Sequence, residues 1–423
     1  MKTVTVALIG AGGRGMSYTN FALKNPEQLQ CVAVAEPDPE RRERVKKLHG
    51  ISVENTFSSW TEILDRPRLA DAVFICTQDR MHFEPAMKAM GRGYHILLEK
   101  PMSTTPQECA LIGEQAEKNG RILLICHVLR YTGFFSALKR LLDEGRIGRL
   151  MAIQHNENVG FWHQAHSYVR GNWRNSNGSS PMILAKSCHD MDIMLWLAGA
   201  DCLYISSFGS LTHFKPENAP PGAPKRCTDG CPAEKGCPYS ALKIYINDNT
   251  SWPVDVITSD FSLEGRLKAL REGPYGRCVY YCDNNVVDHQ VVNIEFANEV
   301  TAAFTMSAFT GGGRTIKLMG THGEMRGYME KNEIEIINFR DSSTELINTS
   351  GNDSGYGHGG GDWGIMREFT RLVQKGGTEQ GLTSATVSVQ SHLMAFAAEK
   401  SRLEKKVINM TEYAREIKES DRR

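Results

Sequence analysis

The stretch "VALIGAGGRG", residues 6–15, constrains this chain more than any other. An apolar run ends in glycines spaced G-x-G-x-x-G, and a helix-forming stretch follows. Glycines let the backbone turn tightly and approach a pyrophosphate, which the free N–H groups of the next helix then hold. The loop of Gly10, Gly12, Gly13, Arg14 and Gly15 therefore predicts a dinucleotide cradle at the head of a Rossmann unit. Glu36 closes the next apolar run, 21 residues beyond Gly15. An acidic group there accepts hydrogen bonds from ribose hydroxyls and repels a 2′-phosphate, so NAD is expected in preference to NADP. Arg41 and Arg42 are the nearby cations that could still reach such a phosphate.

The rest of the first third keeps the same rhythm. Short apolar strands are expected at 4–9, 31–35, 71–76, 94–98 and 121–126. Helical stretches lie between them at 16–24, 39–49, 83–92 and 106–119. That alternation predicts a doubly wound parallel sheet over 1–126. Beyond it, an amphipathic helix near 134–142 leads into longer, alternating strands at 150–155, 203–207, 290–296, 301–307, 314–319 and 333–338. These predict an α+β domain over 127–423, with a large, mostly antiparallel open sheet and helices on one face. A Pro- and Cys-rich insertion is expected near 208–242, a glycine-rich loop at 350–362, and helices at 363–374 and 383–404.

Composition excludes several classes. Lys+Arg and Asp+Glu are both 49, so neither nucleic acid nor an anionic membrane is an expected partner. No apolar run approaches the roughly 20 residues of a membrane helix. The first strand begins by residue 3, which leaves no room for a signal peptide, and a cytoplasmic protein is the expectation.

Ligands of such sheets sit at strand C-termini. "ICTQDRMH" ends one strand and offers Thr77 and His82 as nicotinamide-side contacts. "YHILLEKP" ends the next with Glu99, Lys100 and Pro101. A lysine there can hydrogen-bond a substrate hydroxyl and lower its pKa, while Glu99 pairs with the lysine and holds it; both face the cofactor crevice. The plain alternative is an exposed salt bridge of little energetic worth.

Taken together, G-x-G-x-x-G, "ICTQDRMH", "EKP", "RYTGFF…GRIG" and "LAKSCHDMDIMLWLAG" resemble the glucose–fructose oxidoreductase/inositol dehydrogenase (Gfo/Idh/MocA) family. The resemblance implies NAD(P)-dependent oxidation or reduction of a sugar or cyclitol hydroxyl, and an open sheet that often mediates homo-oligomers. It also implies that Lys100 is catalytic and that His189 acts with it in proton transfer. Many members carry an aspartate four residues before that histidine; this chain has Ala185. Lys186, beside it, could take part of the role or present a second cation, which would favour the neutral form of His189. A single helix from Pro181 to Gly199, with Ser180 as its cap, is expected to carry these residues.

Other segments suit a polyhydroxylated ring or sugar acid. "NVGFWHQAHSYVRGNWRN" offers Trp162, His163, His166, Trp173 and Arg174 as substrate contacts, and "GYGHGGGDW" adds His358 and Asp362 in a loop able to close over substrate. The lead reading is an NAD-dependent dehydrogenase of a sugar, sugar derivative or cyclitol. One rival is a glycosidase or lyase that oxidises transiently, eliminates and re-reduces; another is a non-catalytic sugar or nucleotide sensor. Finally, "RCTDGCPAEKGCPYSA" spaces Cys227, Cys231 and Cys237 as C-x3-C-x5-C. With Cys278, Cys282 or His213 as a fourth ligand, these could hold a structural zinc, Cys278 leading; an iron–sulfur cluster or free thiols are the alternatives.

Overall fold

The computed structural model describes residues 2–351, 357–377 and 379–420. Six parallel strands form the first sheet: β1 (Val4–Ile9), β2 (Leu29–Ala35), β3 (Thr56–Phe57), β4 (Ala72–Ile75), β5 (His95–Leu98) and β6 (Leu123–Ile125). Their order is β3-β2-β1-β4-β5-β6, so the winding reverses between β1 and β4 and opens a crevice at the strand ends. β3 is an edge strand of two residues, too short for any periodic signal.

The helices between these strands begin and end where their caps dictate. Asp38 Oδ1 accepts from the N–H groups of Glu40 (2.9 Å) and Arg41 (3.0 Å), Pro39 takes the first turn, and Gly50 ends the helix at φ 64°. Both faces of the sheet are covered. Tyr18, Phe21 and Phe74 lie in the core on one side; Val73, Ile96 and Ile112 lie in the core on the other.

Nine strands form the second sheet: β7 (Leu150–Asn158), β8 (Cys202–Ser210), β9 (His289–Phe296), β10 (Thr301–Ser307), β11 (Gly313–Gly320), β12 (Gly323–Tyr328), β13 (Glu333–Asn338), β14 (Thr344–Asn348) and β15 (Ile408–Asn409). The order is β14-β13-β12-β11-β7-β10-β9-β8-β15. Among the described strands of this sheet, only β7 and β10 pair in parallel. Along β9, exposed and buried residues alternate strictly, which leaves one face open. The other face packs on the helices Cys188–Ala198 and Ala385–Glu404.

The chain does not stay in the second layer after β14. Helix Gly361–Gln374 returns to the first sheet, where Phe369 meets Phe74 edge-on (5.6 Å between centroids) and Trp363 meets Phe21 (5.5 Å). The connection between β8 and β9 is also longer than the Cys-rich stretch alone suggests, running over 211–288 with only short helices. No described helix is long and apolar enough to cross a membrane.

Candidate active site

The glycine loop is built for close backbone approach. At Gly10 (φ 91°), a Cβ would lie 2.6 Å from the Cys76 carbonyl oxygen; at Gly15 it would lie 2.2 Å from the Gly10 carbonyl oxygen. Gly12 and Gly13, by contrast, face open space at the N-terminus of helix Gly13–Lys24, whose first turn holds no acidic residue and no side-chain cap. A helix start with no side-chain cap and no acidic first turn, approached over bare glycines, fits a pyrophosphate. Glu36 leans in from the end of β2. Its carboxylate accepts from Ala11 N–H (2.6 Å) and Asp38 N–H (3.0 Å). Arg42 is occupied by the backbone carbonyls of Glu36 and Pro37, which leaves the acidic group dominant at this strand end.

Glu99 does not clamp the Lys100 ammonium. It accepts from Arg14 Nε (2.7 Å), the Tyr18 hydroxyl (2.7 Å) and the Lys100 backbone N–H (3.0 Å). Burial opposes its charge, but Arg14 and Lys100 outweigh burial and hold the carboxyl below its ordinary pKa. Arg14 also forks onto Asp362, with both contacts at 2.8 Å. Asp362, expected to touch substrate, is thus a buried partner of the glycine-loop arginine. His358 sits against the same pair, its Nδ1 3.0 Å from Asp362 and 3.2 Å from Arg14. Residues 352–356 of the loop expected to close over substrate lie outside the described residues.

Lys100 instead donates to the Ala185 carbonyl (2.9 Å). This explains why the expected continuous helix is broken. One turn runs over Met182–Ala185, Ser187 leaves helical geometry, and hydrogen bonding restarts with Asp190 and Met191 on the Ser187 carbonyl. Pro181, not Ser180, takes the cap position. The second helix, Cys188–Ala198, carries His189 immediately after the break, and Lys100 is near enough to perturb it.

His189 is buried, and its ring lies 5.7 Å from that of His127 and 6.3 Å from that of His358. Burial first, then the Lys100 charge, depresses its pKa well below the ordinary histidine value, so the ring is neutral. Lys186 projects from the break toward Glu157 (3.5 Å), and burial lowers its pKa. Arg314 bridges Glu157 and Asp190, and His155 meets Asp190 at 2.8 Å. Sequence reasoning missed this network, because Glu157 and Arg314 face each other only through the β7–β11 pairing.

The aromatic segment divides. Residues 164–170 form a π-helix, and burial and then Lys186 depress the pKa of His163, which precedes it. Trp162 and His163 meet Trp252 of the 211–288 connection at 5.1 and 4.9 Å. No sequence signal pointed to Trp252. Trp173 donates to Asp79 (3.0 Å), which ties this segment to the loop after β4. His166 meets the Tyr245 hydroxyl (2.8 Å), stacks on Tyr275 and lies 5.4 Å from the Trp252 ring, and Arg174 pairs with Asp283 (2.8 Å). Thr77 donates to the Met81 carbonyl (2.8 Å). His82 is buried between the carbonyls of Pro101 (2.6 Å) and Thr77 (3.1 Å), bracing the two strand-end loops instead of presenting a free edge.

The expected zinc centre is not supported. Among the described residues, no group of three or more His, Cys, Asp or Glu side chains is arranged to hold a metal ion, and Cys227, Cys231, Cys237 and Cys278 are free thiols.

Buried neutral histidines have a consequence for stability. Burial is the leading cause in every case: His166 and His392 are pushed down to about 3, and His127 and His189 are held well below 6.5. Below pH ~6.5 the unfolded chain takes up protons that the folded chain refuses, so stability falls with falling pH. Each such group contributes a slope of about 1.4 kcal/mol per pH unit in that window. Denaturant unfolding at pH 7.5 and pH 5.5 is expected to show a clear loss at the lower pH; equal stabilities would contradict the neutral cluster.

Comparison with known proteins agrees with the geometry. Residues 4–127 match the family model described as oxidoreductase family, NAD-binding Rossmann fold, and residues 139–365 match oxidoreductase family, C-terminal alpha/beta domain. A 2,7-anhydro-N-acetylneuraminate hydratase of Mediterraneibacter gnavus is 26% identical over 47% of this chain and 50% of its own length. Inositol 2-dehydrogenase 2 of Saccharopolyspora erythraea is 30% identical over 47% of this chain and 55% of its own. The chain thus spans about half the length of the curated relatives it matches. An oxidoreductase from Agrobacterium radiobacter, solved with NAD+, L-tartaric acid and magnesium, superposes with a TM-score of 0.70 at 15% identity, covering 96% of this chain and 98% of that one. A levoglucosan dehydrogenase solved with NADH and levoglucosan gives 0.69 at 17% identity, covering 96% and 99%. Both likenesses show the shared fold. With both halves matched, the chain belongs to the Gfo/Idh/MocA oxidoreductase family.

Proposed function

We propose that this protein is an NAD-dependent oxidoreductase acting on a hydroxyl of a sugar, sugar derivative or cyclitol, with Lys100 and His189 moving the hydroxyl proton. One observation carries the reading: the Lys100 ammonium is anchored on the Ala185 carbonyl, four residues before a neutral His189, at the strand ends that also present the glycine loop. The dinucleotide, when bound, supplies the hydride acceptor or donor. Gly12, Gly13 and Glu36 hold it. Lys100 keeps two N–H bonds free of the Ala185 contact and donates one to the substrate oxygen, which gains negative charge as its proton leaves and passes that charge on with the hydride. His189 is unprotonated and accepts the proton. Lys186 adds a second cation to the wall, while Trp162, His163 and Trp252 offer ring faces to a carbohydrate. The working protein is a cytoplasmic homo-oligomer in this reading.

A redox-neutral cycle of oxidation, elimination and re-reduction is the second reading. Two observations favour it: Ala185 stands where a carboxylate is common, and one relative is named a hydratase. Incubation with NAD and a panel of sugars, inositols, anhydrosugars and glycosides separates the two. Stoichiometric NADH supports the dehydrogenase. Product without NADH, lost on removal of NAD, supports the redox-neutral cycle. Saturable sugar binding without product would leave a sensor.

Glu36 is expected to set the cofactor preference. Glu36→Ala should bind NAD more weakly and narrow the gap to NADP, because the repulsion of a 2′-phosphate is lost. Titration of both nucleotides checks this, and a wild type that prefers NADP would overturn the assignment.

A further inference from the structure

Within the 211–288 connection, residues 248–260 form a loop whose two ends are held together by one side chain. Arg266 is buried, and its guanidinium donates to the carbonyls of Tyr245 (3.1 Å), Asn247 (2.6 Å) and Phe261 (2.9 Å). Val254 plugs the loop into a small core with Tyr245 and Leu270. Asn249 braces it from within, donating to the Trp252 carbonyl (3.0 Å) and accepting from Ser251 N–H (2.9 Å). A compact surface loop with joined ends often carries function.

The loop reaches two places that matter. At one, Trp252 meets the rings of Trp162 (5.1 Å), His163 (4.9 Å) and His166 (5.4 Å). His163 feels the charges of Lys186 and Lys100, so Trp252 lies beside the proposed reaction centre. At the other, Ser259 Oγ donates to Glu40 Oε2 (3.4 Å) in the first turn of helix Pro39–His49. Asp255, between Trp252 and Ser259, is near enough to Arg44 of that helix to feel its charge. Tyr275, which stacks on His166, stands in the same relation to Arg41. The helix begins three residues beyond Glu36, the residue that meets the ribose in the reading above. The loop therefore runs from the reaction centre to the adenosine end of the crevice, the course a dinucleotide takes.

Charge and exposure fit that course. Residues 248–260 include Asp248, Asp255 and Asp260 but no lysine or arginine, whereas the helix carries Arg41, Arg42, Arg44, Lys46 and Lys47. The two surfaces attract, yet among the described residues one exposed hydrogen bond joins them. Trp252 (43%) and Val256 (38%) stay exposed. A loop that closed on a nucleotide would bury such apolar surface, which favours closure.

We propose that residues 248–260 form the outer wall of the dinucleotide site, a clasp that closes over bound NAD and latches on helix Pro39–His49 through Asp255 and Ser259. The inference rests on the NAD reading above and extends it, since a clasped nucleotide is retained from one turnover to the next. Retention suits the redox-neutral cycle, in which the NAD that takes the hydride also returns it.

Two measurements on the full-length protein test the clasp. The first is amide hydrogen exchange with and without NAD. Exchange within 248–260 is expected to slow together with that of the glycine loop. NAD that protects the glycine loop but leaves 248–260 unchanged would overturn the clasp while the cofactor reading stands; a protein that binds no NAD would overturn both. The second is the rate at which bound NADH leaves during a chase with excess NAD, followed by its fluorescence. Asp255→Arg sets like charges against Arg44 and should speed release about fivefold, the scale of an exposed ion pair. Arg44→Asp should do the same, and the double variant Asp255→Arg/Arg44→Asp should return toward the wild-type rate. Release unchanged in both single variants, or a double variant that restores nothing, would overturn the latch. The exchange measurement on the wild type decides alone if a variant fails to fold.

Discussion

Lys100→Ala is expected to fold, to bind NAD, and to turn over substrate at least ~100-fold more slowly than wild type. The reason lies in when its charge is useful. The substrate hydroxyl is neutral in the ground state and becomes negative as its proton is taken, so a fixed ammonium stabilises the transition state more than the bound substrate. The loss should therefore appear mainly in kcat, with a smaller change in KM. Removal of one positioned donor of this type commonly costs about 10²–10³-fold.

Lys100 also anchors the break before His189, because its ammonium takes the Ala185 carbonyl (2.9 Å). Alanine frees that carbonyl, so part of the effect could come from a displaced His189. Lys100→Gln separates the two causes. Its amide can still donate toward Ala185 but carries no charge and no transferable proton. A Gln variant as slow as the Ala variant places the loss in the charge; a Gln variant near wild type places it in the anchoring. Lys100→Arg should also be slow, since a guanidinium gives up no proton and its planar fork suits a bidentate partner more than one hydroxyl. Near-normal turnover in Lys100→Ala would end the mechanism proposed here.

How far the sequence could be read depended on distance along the chain. The glycine loop, the acidic end of β2 and the charged end of β5 are local patterns, each tied to a strand end. They were legible because strand, turn and helix signals follow one another within a few residues. The alternation of β9 and β10 was legible for the same reason, since a half-buried strand repeats every second residue. Side-chain partners across the fold were not. Arg14 and Asp362 lie 348 positions apart, and only the return of helix Gly361–Gln374 to the first sheet brings them together. His166 and Arg174 share a segment with His163, yet their polar partners, Tyr245 and Asp283, lie 79 and 109 positions away in the long connection. Residue type alone could not assign those partners. The break at Ser187 was hidden too, because it depends on a hydrogen bond from Lys100, 85 positions away from Ala185.

The second large effect belongs to the Arg14 network. Arg14→Met is expected to destabilise the fold by about 3 kcal/mol at pH 7, the lower end of the cost of stranding buried charge. Two carboxylates lose their common cation: the Glu99 side chain is 6% exposed and the Asp362 side chain 2%. The lower end applies because Arg14 itself is 31% exposed and its pairs are partly screened. In the wild type, burial works against both charges, and Arg14 prevails to hold both carboxyls below their ordinary range. Groups depressed in this way stabilise the fold above their unfolded pKa, near 4, and lose that contribution as the pH falls through their folded values. Without Arg14, burial prevails, and the carboxyls bind protons more readily when folded than when unfolded. The difference between variant and wild type should therefore be largest near pH 7 and narrow toward pH 4. Adding Asp362→Asn to Arg14→Met should recover part of the loss at pH 7, because it removes one of the stranded charges. Denaturant unfolding of all three proteins at both pH values gives the answer. An Arg14→Met protein within ~0.5 kcal/mol of wild type at pH 7 would mean that Glu99 and Asp362 find water or another donor, and that Arg14 serves the cofactor cradle alone.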